Sequence, residues 1–292
     1  TDPTTLGAVG LGSQTFTSNP FTTYTPTFLV RNLFWRQGSR KAGWMYRVGR
    51  VTPDQFLSTS QHVTPLLHNT PIAGTGAFAM GLPDSGLGMF GGFFLNDWAN
   101  IAGVVSDANA DRTNFGKLDE GELFTALELQ VKILPLTEKA GYSKLTFWHN
   151  DGTRNGAAIN GSSGAEGWGW FFKGEQELSC DGRMIGLLRY GKSYNSSALY
   201  DELAAAHFLV YDPFDSGRYK RRGFNADLAG FVYSWVQPSG ADRDESNFEV
   251  FYRFALFPEM QATVSYQAIV NPALDPTNDY GSAISLRLRS TW

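Results

Sequence analysis

From Ile284 to Arg289 apolar and polar residues alternate without a break, and the sequence given ends on Trp292. In an extended strand Ile284, Leu286, Leu288 and Trp292 share one face, with Ser290 as its polar interruption. Ser285, Arg287 and Arg289 share the other. The same period runs upstream. Phe248, Val250, Tyr252, Phe254 and Leu256 alternate with Glu249, Phe251, Arg253 and Ala255, and Met260, Ala262, Val264, Tyr266 and Ala268 alternate with Gln261, Thr263, Ser265 and Gln267. Two architectures satisfy this pattern. A soluble sheet buries the apolar set and hydrates the arginines. A membrane barrel turns the apolar set to hydrocarbon and the polar set to a wet lumen.

Composition separates them in part. Charged residues are 18% of the 292, below the ~25% of soluble domains. Aromatics are abundant (22 Phe, 12 Tyr, 8 Trp), and there are 32 Gly. No run of about 18 apolar residues exists, since the best candidate, 89–105, is broken by Asn96, Asp97 and Asn100. A transmembrane helix is therefore excluded, whereas a spanning β-barrel dilutes its lipid-facing residues one-to-one with polar ones. The net charge of −4 argues against a nucleic-acid partner. Cys180 stands alone, which excludes an intrachain disulfide and reads as a small packed residue. Residues 1–5 carry no signal peptide, so for an exported chain the sequence begins after processing or is incomplete.

Thirteen strand-like segments are expected, at 26–36, 43–51, 86–95, 98–107, 122–133, 142–149, 166–178, 182–191, 206–213, 225–236, 246–257, 260–270 and 282–292. Their length suits a tilted membrane crossing of roughly 9–11 residues. Polar stretches at 150–165, 192–203, 214–224 and 237–245 read as long loops, against a short turn at 257–259. Short helices are expected over 61–69 and over 196–206, the latter capped by Asn195. The chain reads as one domain, 1–292. An odd strand count conflicts with the even number in bacterial single-chain barrels.

Few motifs carry chemistry. Gly186-Leu-Leu-Arg-Tyr-Gly191-Lys192-Ser193 fits the phosphate-loop pattern letter for letter. Its bulky residues lie inside a strand-like segment, which makes chance the better explanation. Asp107, Asn109 and Asp111 resemble the start of a calcium loop, but Arg112 and Leu118 replace the glycine and glutamate it needs. An Asx-stabilised turn is the plainer reading. His62, His68, His149 and His207 are scattered, and Asn150-Asp151-Gly152 beside His149 reads as a strand end. Glu175 and Glu177 with Lys173 read as a solvated or lumen ladder before a glycosidase pair.

What remains is a polar set opposite the apolar faces: Arg47, Glu128, Lys132, Arg189, Glu249, Arg253, Gln267, Arg287 and Arg289, with Arg31 and Trp35 as additions. In a barrel this set lines the pore and contacts solute, while Phe248, Val250, Tyr252, Val264, Tyr266, Ile284, Leu286, Leu288 and Trp292 face lipid. Guanidinium forks and aromatics suit neutral polyols and sugars. Three functions stay open: an outer-membrane sugar channel, a soluble sandwich or jelly roll that binds or cleaves polysaccharide, and an outer-membrane channel for acidic or amino-acid solutes.

Three motifs resemble the carbohydrate-selective porins of Gram-negative outer membranes (OprB-type). They are Tyr46-Arg-Val-Gly-Arg-Val-Thr-Pro-Asp-Gln-Phe56, Ile101-Ala-Gly-Val-Val-Ser-Asp-Ala-Asn-Ala-Asp111, and the tail from Glu249-Val-Phe-Tyr-Arg-Phe254 through Gln267-Ala-Ile-Val-Asn-Pro272 to Ser285-Leu-Arg-Leu-Arg289. The final aromatic matches the closing strand of such barrels. The resemblance implies an all-β, antiparallel transmembrane barrel of about sixteen strands. Family members carry about a hundred more residues before the arginine motif, so the expectation is that three N-terminal strands are missing, which turns thirteen into sixteen; the alternative is a smaller barrel with a narrower pore. It further implies passive sugar diffusion narrowed by inward loops such as 52–85, no enzyme activity and no cofactor. Arg47, Arg50, Asp107, Glu249 and Arg253 become wall or rim positions. The partners implied are sugar solutes, outer-membrane lipid and lipopolysaccharide, and the barrel-assembly machinery acting on the last strand; a homotrimer is compatible.

Overall fold

The computed structural model describes residues 30, 32–53, 56–57, 59, 79–110, 118–132, 140–152, 166–215, 226–257 and 259–290. Thirteen strands form one sheet in which each pairs with its neighbours in sequence: β1 (Leu33–Ser39), β2 (Trp44–Val51), β3 (Gly86–Phe94), β4 (Ala99–Asp107), β5 (Leu123–Lys132), β6 (Gly141–Asn150), β7 (Gly167–Glu177), β8 (Met184–Tyr194), β9 (Tyr200–Tyr211), β10 (Leu228–Pro238), β11 (Glu245–Phe257), β12 (Met260–Val270) and β13 (Tyr280–Ser290). Every pairing among the described residues is antiparallel. Among the described residues β1 and β13 do not pair with each other, so the sheet is open. No described helix is long and apolar enough to cross a membrane.

Side chains sort by parity, and the sorting is inverted relative to a soluble core. Ile284, Leu286 and Trp35 are 78%, 69% and 70% exposed, and Phe93, Leu127, Phe147, Leu188, Val250 and Val264 are exposed with them. On the opposite face Lys173 and Arg189 are 0% and 2% exposed, and Glu128, Lys144, Glu175, Glu249 and Arg253 are buried too. The buried face also packs a hydrophobic cluster around the segment between β2 and β3. Leu57, Met80 and Leu82 of that segment meet Phe90, Trp148, Phe171 and Leu203 of the wall.

Several expectations need correction. Residues 196–206 are not a helix, because β9 runs from Tyr200 through the alanines. Ala204, Ala205 and Ala206 fit either period, and pairing with β8 on one side and β10 on the other decides for the strand. The loop expected at 192–203 therefore shrinks to 195–199, and that at 237–245 to 239–244. The connection 212–227 lies on the same edge as the short turns 40–43, 95–98, 178–183 and 258–259, so loop length does not divide cleanly between the two edges. The strand expected at 26–36 is observed as Leu33–Ser39. Cys180 is exposed rather than packed. Trp35 lies on the exposed face, not with the polar set. The helix expected at 61–69, His62, His68, Arg31, Asp111 and Trp292 fall outside the described residues.

Candidate functional site

The register aligns the buried polar residues in rows across the wall. One row holds Gln130, Lys144, Lys173 and Arg189 on β5 to β8: Gln130 lies opposite Lys144, Lys144 opposite Lys173, and Lys173 opposite Arg189. Like charges placed directly opposite each other destabilise a sheet. Two carboxylates from the flanking rows offset this. Glu128 Oε1 lies 2.9 Å from Lys144 Nζ and accepts through Oε2 from Thr146 Oγ1 at 3.0 Å, while Glu175 Oε1 lies 3.7 Å from Lys173 Nζ.

A further row joins Lys132, Tyr142, Glu175, Leu187, His207, Val232, Glu249 and Gln267 on β5 to β12. Here Asn247 Nδ2 donates to Gln267 Oε1 at 3.1 Å. Arg253 and Arg287 share the row of Thr263 on β11 to β13, and Arg289 follows two residues on. Arg287 and Arg289 are half-buried, less covered than the lysines of β6 and β7. Between the two polar regions Phe251 lies over Gly230, its opposite number on β10, where a Cβ would overlap the ring.

Arg47 stands apart on β2. It faces Arg36 across β1, and its guanidinium lies 4.8 Å from the Phe34 ring centre and 4.7 Å from that of Phe56. Arg50 and Asp107 belong by register to the opposite set, with Val48 and Val105, yet both are buried at their strand ends. Gly49, at φ 138°, breaks the alternation just before Arg50, and the Leu33 carbonyl leaves no room for a Cβ there. Asp107 Oδ1 accepts from Asn109 N at 2.8 Å, the Asx turn expected. Among the described residues no group of three or more His, Cys, Asp or Glu side chains is placed to hold a metal.

The phosphate-loop match lies in the middle of β8, with Lys192 Nζ 3.1 Å from Glu202 Oε2 on the exposed face. Its amides belong to a ladder rather than to a nest. His149 ends up 3.6 Å from Glu166, and Asn150 closes β6. The apolar residues singled out on β11 to β13, from Phe248 to Leu288, all lie on the exposed face, with Tyr252 half-buried.

Sequence parity places Glu128, Arg189, Glu249, Arg253 and Gln267 on one face. The ladder read at Lys173 and Glu175 lies on the same buried face, but the reading misses Lys144 of the basic row, Tyr142 of the row beside it, and Thr59 of the β2–β3 connection. The Lys144 signal was present as alternation with Tyr142 and Thr146. That of Thr59 is a long-range contact with no local signature.

No protein-family model matches the chain, and no curated protein matches it. Among solved structures, the high-pH structure of Pseudomonas putida OprB is similar over 87% of this chain and 71% of its own, at TM-score 0.68 and 12% identity. The low-pH structure of the same protein is similar over 90% of this chain and 67% of its own, at TM-score 0.57 and 12% identity. The chain is all-β, and its single sheet of thirteen antiparallel strands has the fold of OprB.

Proposed function

We propose that this chain forms the wall of a passive outer-membrane channel for sugars. The inversion of burial carries the reading. Ile284, Leu286, Val264 and Val250 are exposed on one face, while Lys144, Lys173, Arg189, Glu249 and Arg253 are covered on the other. Exposing so continuous an apolar face to water would be costly, and lone apolar patches on soluble monomers reach only about 300–600 Å². Facing hydrocarbon, the same residues are in their preferred medium. This counts against the soluble sandwich. The fold shared with OprB and the motif resemblance of the tail support a carbohydrate channel within that class.

The mechanism is static. Arg287 and Arg289, half-buried on β13, present fixed donors, and a passing polyol exchanges its water hydrogen bonds for these and leaves without covalent change, while the covered Arg253 and Gln267 stiffen the wall behind them. Arg47, Lys132 and Glu249 add to the wall, and Arg50 and Asp107 sit at its rim. The half-buried Arg287 and Arg289 of β13 favour a second reading, in which acidic solutes pass as readily as neutral ones. The test is swelling of liposomes containing the purified full chain, with glucose, gluconate and arginine as solutes. Faster permeation of glucose than of arginine supports the sugar reading, and gluconate outrunning glucose supports the second. A monomer that stays in aqueous buffer without detergent overturns both.

A further inference from the structure

We infer that Lys144 and Lys173 set the size cut-off of the channel by clasping Thr59 across the buried face; this rests on the channel reading above. Lys173 Nζ donates to the Thr59 carbonyl, and Tyr142 Oη donates to the same oxygen at 3.3 Å. Lys144 Nζ donates to Thr59 Oγ1 at 3.0 Å. Three side chains from β6 and β7 thus converge on one residue of the β2–β3 connection. Three residues earlier the same connection is anchored to a different part of the wall. Phe56 stacks on Phe90 of β3 at 4.6 Å between ring centres, with the Arg47 guanidinium against it.

Phe56 and Thr59 are therefore held over different parts of the buried face. From β3 to β6 is three strand spacings, about 14 Å measured along the wall. Three residues of chain reach at most about 10 Å. The Phe56 ring and the Tyr142, Lys144 and Lys173 side chains cover the difference, so Phe56 and Thr59 are both held against the buried face, and Leu57 between them is fully buried. A second anchor lies beyond: Asn150 Nδ2 donates to the Gly81 carbonyl at 2.5 Å, and Ala79 lies against Gly191 of β8.

The lysines act through Thr59 rather than on solute. The protons of Lys173 Nζ are directed at Thr59, at Glu175 and, at 3.5 Å, at Tyr142 Oη; those of Lys144 at Thr59 and Glu128. Their charge is balanced within the wall. What they control is the position of Thr59.

The experiment compares wild type, Lys173→Met, Thr59→Val and Tyr142→Phe in liposomes. Swelling is measured with a mono-, a di- and a trisaccharide, and reversal potential in a KCl gradient is measured alongside. Releasing the clasp is expected to raise the trisaccharide-to-monosaccharide rate ratio by about threefold per lost hydrogen bond, and for Thr59→Val and Tyr142→Phe to leave the reversal potential unchanged. An unchanged size series in these two variants overturns the clasp. So does a shifted reversal potential with the cut-off intact, because the lysines would then face the solute. Heat-dependent gel mobility reports insertion; should Lys173→Met fail to insert, the two charge-neutral variants decide. If wild type itself passes no sugar, the channel reading falls, an outcome distinct from a wild-type channel whose cut-off the variants leave alone.

Discussion

Leu286→Arg is the perturbation that weighs most directly on which medium touches the apolar face. β13 has eleven residues, Tyr280 to Ser290. At about 3.4 Å per residue and a tilt near 45° it rises about 24 Å, close to the roughly 25 Å apolar band of outer-membrane barrels. Leu286 lies one residue from the strand midpoint and opposite Val264. It is 69% exposed, so little protein screens it from its surroundings. An arginine there sits near the bilayer midplane and should cost about 2–4 kcal/mol. Ala283→Arg, three residues away on the opposite face and paired with Gln267, should change stability by only about 0.5 kcal/mol. Equilibrium unfolding in denaturant from lipid vesicles reads both. Equal costs at the two positions, or a larger one at Ala283, would refute the assignment of faces.

Gly230→Ala drives a Cβ into the Phe251 ring and within 3.0 Å of Leu209 Cδ2, so it should lose about 1–3 kcal/mol in the same unfolding assay, whereas Gly91→Ala, whose nearest atom is 3.9 Å away, should be near neutral. Arg243→Ala removes donors to the Pro272 and Asp275 carbonyls, at 3.0 and 2.6 Å, and to Asn278 and Asp279; hydrogen exchange should speed up across 271–279 with β11 and β12 unchanged. In that loop Thr277 Oγ1, then Asn278 Nδ2, hold the Asp275 carboxyl below its ordinary value. Its contribution is present above the unfolded-state value near 3.9 and is lost as pH falls through the lower folded one, so loop exchange should accelerate only below about pH 4, and Asp275→Asn should flatten that profile.

Legibility in the sequence follows how strongly hydropathy alternates. β11, β12 and β13 read within about two residues, because Val250, Val264 and Leu286 stand against Glu249, Ser265 and Arg287 and only 258–259 separates the first two strands. The second half of β9 was expected at 206–213, but its first half was hidden because Asp201 and Glu202 open it and alanines fill its middle, so neither period stands out there. β7 was legible as a strand with Lys173 and Glu175 as a ladder, but which of its faces is covered was not, since Trp168, Trp170, Phe171 and Phe172 put aromatics on both faces around Lys173. The departures of Arg50 and Asp107 occur at strand ends, where Gly49 and the Asx turn release the period-two rule. Contacts made across the buried face, such as Lys144 to Thr59, leave no trace in any local window.

The buried row also divides the wall by what each charge can do. A charge pair at a wet surface contributes about 0–1 kcal/mol, while removing one partner of a covered pair costs about 3–5 kcal/mol. Lys173 and Glu175 are 0% and 2% exposed at the side chain, under the segment that carries Thr59. Glu175→Gln should therefore cost about 3–5 kcal/mol, because Lys173 and Arg189, opposite each other across the pair, lose the carboxylate beside them. Arg287→Gln, half-buried on β13 with Arg289 beside it, should cost less than about 1 kcal/mol and change conductance instead. Unfolding free energies and single-channel currents on the two variants separate these roles. Should Glu175→Gln prove cheap, water reaches Lys173, the β6–β8 row belongs to the solute path, and Thr59 is no longer its principal partner.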